Sequence, residues 1–174
     1  MLPAPDTRAV TARLLARELG VDAADLKISR VCTHCGDPAH GRPHLVGGER
    51  SFNLSHSGDR FVLAIGDPAL QLGVDVEVVR PRARLDALAR RTLDATAYER
   101  WLSAPDAEPL VTFLRAWTAK EAYLKAVGLG IATSLREVPA APPGFTFYPV
   151  DGWPDAVVTV AVDTADAEVV VQAE

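Results

Sequence analysis

Leu72-Gly73-Val74-Asp75-Val76-Glu77-Val78 is a stretch in which apolar side chains recur at every second position. Because successive side chains of a β-strand point to opposite faces, it predicts a strand over residues 71–79 with one buried apolar face. The opposite face carries Asp75 and Glu77. Gly73 lies on that face too, and its missing side chain predicts space for a ligand to approach the backbone.

Further along the chain, Trp117-Thr118-Ala119-Lys120-Glu121-Ala122-Tyr123-Leu124-Lys125 predicts part of a helix over residues 110–127. Gly128 and Gly130 are expected to end it. The predicted apolar stripe consists of Ala116, Ala119, Ala122, Tyr123 and Ala126. Trp117, Glu121 and Lys125 recur at every fourth position on another face, which we expect to line a cleft.

Together the two stretches predict a metal site for a phosphate-bearing substrate. Asp75, Glu77 and Glu121 supply three carboxylates, and Lys125 supplies an ammonium group. Carboxylate oxygens are the ligands of hard divalent cations, and a cation beside a lysine suits phosphate chemistry. Taken alone, the pair of acids Asp75 and Glu77 and the pair Glu121 and Lys125 each have a simpler explanation. Acids on a strand face are often only solvated, and an i, i+4 Glu–Lys pair is commonly a surface pair worth about 0.2–0.5 kcal/mol.

The remaining sequence predicts helices and clustered strands. Helices are expected over residues 8–19, 85–93 and 95–102, and strands over 25–31, 60–65, 145–150, 157–162 and 168–171. Residues 52–59 are expected to be a short strand that runs into a polar turn, and the last two strands a closing hairpin. Because the strands cluster instead of alternating with helices, the pattern favours an α+β fold.

Composition limits the kind of protein. The chain has 174 residues, of which 48% are hydrophobic and 24% charged, as in a globular domain. No apolar run reaches membrane-spanning length, and the first residues lack a basic stretch and an apolar core, so we expect a cytoplasmic protein with no membrane partner. The formal net charge of −5 argues against a nucleic-acid partner.

One segment of this acidic chain is locally positive. Between residues 80 and 100 there are six arginines, namely Arg80, Arg82, Arg84, Arg90, Arg91 and Arg100. The same segment holds only three acids, Asp86, Asp94 and Glu99. An acidic partner or an anionic ligand could be drawn to this surface, although a solvated helix face explains it as well.

Two polar clusters leave alternatives open. Ser55-His56-Ser57-Gly58 is expected to be a turn at a strand end; without a G-x-S-x-G elbow we reject a serine hydrolase and favour phosphate binding. Cys32 and Cys35 form a C-x-x-C followed by His40 and His44, which could bind zinc. Redox work by the cysteines, or a phosphate-contacting turn over residues 40–43 beside incidental cysteines, are the alternatives.

The motifs taken together resemble a known family. GVDVE at residues 73–77 and WTAKEAYLK at 117–125, followed by Gly128-Leu129-Gly130, resemble the two signature motifs of the 4′-phosphopantetheinyl transferases. FNLSHS at 52–57 is similar to a third motif, found in the surfactin-synthetase-activating (Sfp-type) branch. HGRP at 40–43 lies where that branch carries a Gly-Lys/Arg-Pro turn. The likeness covers residues 8–130, and four motifs in this order make it specific.

The resemblance implies a pseudo-twofold α+β fold, with halves at residues 1–70 and 71–174 and the active site in the cleft between them. It implies a transfer of the 4′-phosphopantetheine arm from coenzyme A to a serine of an acyl or peptidyl carrier protein, with adenosine 3′,5′-bisphosphate as the other product. Carriers of fatty-acid, polyketide or nonribosomal peptide biosynthesis all present such a serine. The implied cofactor is Mg²⁺, and a single pseudo-twofold chain is expected to work as a monomer.

Site residues follow from the resemblance by position. The metal would be held by Asp75, Glu77 and Glu121. Coenzyme A would be contacted by His40, Gly41, Arg42, Ser55, His56, Asp75, Glu121 and Lys125. Glu121 and Lys125 would be catalytic, with Glu121 helping to deprotonate the carrier serine. Longer members have a further segment before the first helix, and Arg13, or Arg8, would replace its contacts with the nucleotide.

Two other functions use the same residues differently. A metal-dependent nucleotide phosphohydrolase would use the same carboxylates, and phosphate release without a carrier would identify it. A zinc-bearing interaction module would use Cys32, Cys35, His40 and His44, and tightly held zinc without coenzyme A affinity would identify it.

Overall fold

The computed structural model of the chain describes residues 6–31, 36–37, 41–103, 108–129 and 133–172. Its mixed α/β architecture runs in the order α1 (Thr7–Leu19), β1 (Ile28–Arg30), β2 (Pro43–Leu45), β3 (Ser51–Ser57), β4 (Arg60–Gly66), β5 (Leu72–Val78), α2 (Leu85–Thr92), α3 (Ala95–Leu102), α4 (Pro109–Val127), a 3₁₀ turn (Leu135–Glu137), β6 (Thr146–Val150) and β7 (Ala156–Val162). In these ranges no helix has the length and apolar character needed to cross a membrane.

The strands form three antiparallel groups. β1 pairs with β2, β3 pairs with β4, and a three-stranded sheet has the order β5-β7-β6. In that sheet Asp75 lies opposite Thr159, and Val74 lies opposite Val160. Apolar side chains of β5 and β7 form one core cluster, which includes Val74, Val76 and Val158. The apolar face that alternation predicts for β5 is therefore confirmed.

The predicted closing hairpin is wrong. Residues 168–171 form no strand, and β7 pairs with β5 and β6 instead. Because both edges of β7 are already occupied, the following segment has no backbone edge on β7 to join. Val170 remains 73% exposed, and a hydrogen bond of 3.1 Å from Arg17 to Gln172 ties this segment to α1.

The helix α4 packs directly on the backbone of β5. A Cβ atom at Gly73 would collide with the carbonyl oxygen of Ala122 and lie 2.6 Å from the backbone nitrogen of Ala126. Gly73 thus makes room for a helix, and the prediction that it makes room for a ligand is wrong. The left-handed cap that ends α4 is Gly128, with φ 76°, as the sequence predicts.

The predicted apolar stripe of α4 is only part of its buried surface. Ala122 and Ala126 are buried against β5, whereas Ala116, Ala119 and Tyr123 are half-buried. Further buried side chains lie on other faces, namely Phe113, Leu114, Thr118, Lys120 and Leu124. Since α4 contacts the sheet on one side and α2 on another, no single stripe describes it.

Candidate active site

An open cavity of about 340 Å³ lies where β3, β5 and α4 meet. Its lining consists of Leu54, Ser55, His56, Asp75, Val76, Glu77, Trp117, Glu121 and Lys125. The structure therefore brings together the paired acids of the strand, the predicted row of α4 and two residues of the serine–histidine motif. The expectation that the row on α4 lines a cleft is confirmed.

Asp75 is the most buried acid of this cavity, with 6% of its surface exposed. Its Oδ1 accepts hydrogen bonds from Lys125 Nζ at 2.7 Å and from Ser55 Oγ at 2.8 Å. Its Oδ2 is buried and, among the described residues, has no hydrogen-bond partner. Burial raises the pKa of the Asp75 carboxyl, and Lys125 and Ser55 offset part of that rise. One oxygen is thus satisfied, while the other is buried without a hydrogen-bond partner among the described residues.

Lys125 connects α4 to β3 and β5. In addition to Asp75, its Nζ donates to Ser55 Oγ at 2.8 Å and to the carbonyl oxygen of Val74 at 3.1 Å. The charge of its ammonium group is shared with one carboxylate at the cavity wall. An ammonium in this place can neutralise the charge of a phosphate that enters the cavity.

Glu121 lies one helical turn before Lys125 and is half-buried. Within the described ranges its side chain makes no hydrogen bond, although it lines the cavity. Burial raises the pKa of the Glu121 carboxyl, the charge of Asp75 raises it further, and Lys125 lowers it in part. A carboxyl with a raised pKa and no hydrogen bond among the described residues is suited to accept a proton from a substrate hydroxyl.

Glu77 is held differently from Asp75. Its Oε2 accepts a bond of 2.6 Å from Arg82, in the loop after β5, and one of 3.0 Å from Ser57 Oγ. The side chains of Glu77 and Arg82 are 17% and 21% exposed, so the ion pair is partly shielded from water. Glu77 lines the cavity while its carboxylate already has a cationic partner.

A row of polar side chains joins β3 to β5. Asn53 Oδ1 accepts a bond of 3.1 Å from the Val74 amide, and Ser57 Oγ accepts one of 3.2 Å from the Val78 amide. Together with the bond from Ser55 to Asp75, these contacts link two strands that belong to different sheets. Ser55 and His56 are therefore strand residues, and the prediction that they form a turn is wrong; the turn begins at Gly58.

Other predicted contact residues lie away from this cavity. Arg42 and Gly41 precede β2, Arg13 is exposed on α1, and none of the three lines the cavity. His40, Cys32 and Cys35 lie outside the described residues, so the predicted turn and the zinc alternative are not described there. His44 is exposed on β2. The assignment of these residues to coenzyme A or zinc stays a prediction.

The carboxylates that line the cavity are the candidate ligands for Mg²⁺. Across the described ranges, no group of three or more His, Cys, Asp or Glu side chains is arranged to hold a metal ion. Asp75 and Glu77 are instead bonded to Lys125 and Arg82. The orphaned Oδ2 of Asp75 and the uncommitted carboxyl of Glu121 are oxygen ligands of the kind that Mg²⁺ takes. The Asp75 and Glu121 oxygens therefore fit Mg²⁺ by their chemistry.

Sequence reasoning missed three of the residues that shape this site, Asn53, Ser57 and Arg82. For the first two a signal exists, because Asn53, Ser55 and Ser57 alternate and give β3 one polar face. A polar strand face with low exposure must find hydrogen-bond partners on a neighbouring element. For Arg82 no local pattern marks the pairing with Glu77.

Comparison with known proteins decides the family. The sequence profile of the 4′-phosphopantetheinyl transferase superfamily matches residues 71–169, which hold the acids of β5 and the whole of α4. The chain belongs to this superfamily. Among its transferase relatives, HetI of Nostoc sp. (strain PCC 7120) is 36% identical over 140 residues, which cover 77% of this chain and 54% of HetI.

Two further transferase relatives support this membership. The phosphopantetheinyl transferase of Thraustochytrium sp. is 31% identical over 180 residues, covering 92% of this chain and 59% of that protein. The 4′-phosphopantetheinyl transferase AcpT of Salmonella typhimurium is 36% identical over 89 residues, covering 51% of this chain and 46% of AcpT. This member of the superfamily spans little more than half the length of HetI and the Thraustochytrium protein.

Proposed function

We propose that this protein transfers the 4′-phosphopantetheine arm of coenzyme A to a serine of an acyl or peptidyl carrier protein. The observation that carries this function is the cavity itself, in which Glu121, a carboxyl with no hydrogen bond among the described residues, lies beside the Lys125–Asp75 pair. The names of the relatives agree with it, since all three are phosphopantetheinyl transferases.

The reaction needs a base and charge neutralisation. Glu121 accepts the proton of the carrier serine hydroxyl, and the serine oxygen forms a bond to the phosphorus that bears the pantetheine arm. The bond from that phosphorus to the bridging pyrophosphate oxygen breaks, and adenosine 3′,5′-bisphosphate leaves with the electron pair. Lys125 neutralises phosphate charge during the transfer. No nucleophile from the protein is required.

Mg²⁺ is the proposed cofactor. Asp75, Glu77 and Glu121 would hold it, and it would supply neutralisation of pyrophosphate charge. The buried oxygen of Asp75 that has no hydrogen-bond partner among the described residues supports this assignment. Glu77 contributes only if it releases Arg82, so we expect Asp75 and Glu121 to be the stronger ligands.

Coenzyme A is proposed to lie against β3 and α4. Ser55 and His56 line the cavity beside Lys125 and are placed to contact phosphate oxygens. His40, Gly41 and Arg13 are proposed to contact the nucleotide by family analogy. We further propose that the chain belongs to the Sfp-type branch, has pseudo-twofold halves at residues 1–70 and 71–174 with the cavity between them, and works as a monomer.

The test is a carrier mass shift. The protein is incubated with coenzyme A, Mg²⁺ and a panel of apo carriers from fatty-acid, polyketide and peptide synthesis, and intact carriers are weighed by mass spectrometry. A gain of one phosphopantetheine arm on the serine is expected. Absence of a gain on every carrier would contradict the proposal, and phosphate release from nucleotides without a carrier would favour a phosphohydrolase.

The same carrier assay tests whether Glu121 is the base. Glu121→Gln should lower kcat by about 10²-fold or more, because the proposed base can no longer accept the serine proton. Glu137→Gln, at an exposed glutamate outside the cavity, is the matched control and should transfer at the wild-type rate. A wild-type rate for Glu121→Gln would assign the base elsewhere.

A further inference from the structure

Arg42 contacts the same three elements that build the cavity, although it does not line it. Its Nη1 donates a bond of 2.9 Å to the carbonyl oxygen of Ala126 on α4. Its Nη2 donates to the carbonyl oxygen of Leu72 on β5 at 2.9 Å, and to Ser51 Oγ and the carbonyl oxygen of Phe52 on β3 at 3.3 Å. One guanidinium group thus links α4, β5 and β3.

The acceptors lie close in sequence to the residues of the cavity. Ala126 directly follows Lys125, and Leu72 precedes Asp75 by three residues along one strand. A strand rises about 3.3 Å per residue, so Leu72 and Asp75 are separated by about 10 Å of stiff backbone. A shift of either acceptor carbonyl would therefore change the spacing between Lys125 and Asp75.

The contacts of Arg42 require the shape of a guanidinium group. Its four acceptors are uncharged, and burial lowers the pKa of Arg42. The carbonyl of Ala126 belongs to the last turn of α4, where helix carbonyls lack partners within the helix and favour a cation. A lysine carries the same charge, but its single nitrogen cannot reproduce a planar fork that reaches separate acceptors on three elements.

Gly73 and Arg42 restrain α4 in complementary ways. The absence of a side chain at Gly73 lets Ala122 and Ala126 approach the backbone of β5, which sets the distance between helix and strand. Contact alone does not stop the helix end from moving along the strand. The bond from Arg42 to Ala126 resists that motion at the end of α4 that carries Lys125.

We propose that Arg42 is a positioning residue for the transfer reaction, which holds the C-terminal turn of α4 in register with β5 and β3 so that Lys125 and Glu121 face Asp75. This rests on the proposed function. It replaces the sequence-based expectation that Arg42 contacts the phosphates of coenzyme A, because its donors Nη1 and Nη2 are already bonded to protein oxygens.

Steady-state kinetics separate the two roles. Arg42→Gln and Arg42→Lys should both lower kcat by about 10- to 100-fold, as small misplacements of catalytic groups do. The KM for coenzyme A should change by less than about twofold, because no phosphate contact is lost. Arg50→Gln is the matched control. Arg50 precedes β3, and within the described part of the chain its side chain donates to the neighbouring carbonyl of Glu49 and to no other residue, so both constants should stay at wild-type values.

A phosphate ligand would behave in the opposite way. If KM for coenzyme A rose in Arg42→Gln with kcat retained, and Arg42→Lys restored it, the positioning role would be overturned. Wild-type constants in both variants would overturn it as well. These outcomes are distinct from failure of the proposed function, in which the wild-type protein itself would not modify any carrier.

Hydrogen exchange provides a readout that needs no transfer activity. In Arg42→Lys, amides of residues 122–129 should exchange faster than in the wild type, while those of β6 and β7 keep their protection. Equal acceleration throughout the chain would mean that Arg42 supports only global stability and would overturn the proposal. Unchanged exchange at residues 122–129 would overturn it too. Arg42→Lys keeps the experiment decisive if Arg42→Gln does not fold.

Discussion

Asp75 is the residue at which the polar contacts of the cavity converge. It accepts bonds from Lys125 and Ser55 on one oxygen and has the charge of Glu121 nearby. Burial and the charge of Asp75 both disfavour the ionised form of Glu121. The cavity therefore holds one carboxyl that is engaged with a cation, Asp75, and another that makes no hydrogen bond within the described ranges, Glu121.

The raised pKa of Glu121 has a consequence for stability. Glu121 has a higher pKa in the folded state than in the unfolded state. At pH values between these two, the metal-free folded protein therefore binds more protons than the unfolded protein. The contribution of Glu121 to the free energy of unfolding therefore falls as pH rises through that window. Glu121→Gln removes the ionisable group, so its Tm should exceed that of the wild type at neutral pH, and the difference should vanish at a pH below the unfolded-state pKa.

Thermal unfolding in chelator at a series of pH values measures this effect. Glu137→Gln, at an exposed position, should follow the wild-type curve at every pH. A Tm of Glu121→Gln below that of the wild type at neutral pH would mean that the ionised carboxylate stabilises the fold, and the assigned direction of its pKa would then be wrong.

At the scale of elements, the site depends on how closely α4 approaches β5. The helix covers the strand face that carries Gly73 and Asp75, and the hydroxyls of Thr118 and Thr159 meet at 2.8 Å in the same interface. On its other flank β5 is joined to β3 by side chains rather than by a backbone ladder. The cavity lies between the α4 face that packs on β5 and the strand β3, which is bonded to β5 through side chains.

Gly73→Ala tests the close approach. The new Cβ would meet backbone atoms of Ala122 and Ala126, which cannot rotate away, so the helix must move. We expect a loss of more than about 3 kcal/mol in the free energy of unfolding, beyond the usual range for overpacking. Chemical denaturation measures it.

Gly66→Ala is the matched control. Its Cβ would meet only the side-chain ends of Leu70 and Leu72, at 3.3 and 3.4 Å. These ends can shift, so the loss should be smaller than for Gly73→Ala. Equal stability of Gly73→Ala and the wild type would refute the packing of α4 on β5 described above.

At the scale of the whole molecule, charge is distributed unevenly. Two arginines of the positive segment have carboxylate partners: Arg82 pairs with Glu77, and Arg90 pairs with Asp86 at 3.0 Å. The other four arginines, Arg80, Arg84, Arg91 and Arg100, are exposed. Arg100 also lines a second cavity of about 200 Å³ between α3 and α4. These four arginines form the surface that we propose for docking of an acidic carrier.

Charge reversal tests this surface. Arg91→Glu with Arg100→Glu should raise the KM for an acidic carrier by about tenfold at low salt and less at high salt, because surface charges act mainly through steered association. The KM for coenzyme A should stay unchanged. Lys27→Glu, at an exposed position outside the segment, is the control. Unchanged carrier kinetics in the double variant would remove this surface from the proposal.

Metal binding should also change the thermal stability of the whole molecule. A ligand that binds only the folded state raises Tm according to its concentration and affinity. Mg²⁺ should therefore raise the Tm of the wild type and not that of Asp75→Asn. Asp151→Asn, at an exposed residue outside the cavity, should respond as the wild type does. An equal response of Asp75→Asn would place the metal elsewhere.

Local patterns predicted the long elements well and the short or tertiary ones poorly. The predicted ends of the helix α4 and the strand β5 lie within one residue of the observed ends, because each has a regular side-chain pattern along its whole length. β2 is not among the predicted strands, since three residues beginning with Pro43 give no periodic signal. The segment over residues 168–171 has a strand-like composition, but β7 already has neighbours on both edges.

The sequence by itself determined which face of β5 is acidic, which side of α4 carries Glu121 and Lys125, and which family motifs they match. These properties depend on residues within a few positions of each other. Only the tertiary structure decided that Gly73 admits a helix, that Arg82 pairs with Glu77, and that Arg42 bonds Ala126, 84 residues away in the chain. A side chain's period fixes its direction on its own element, whereas its hydrogen-bond partner depends on which distant element folding brings beside it.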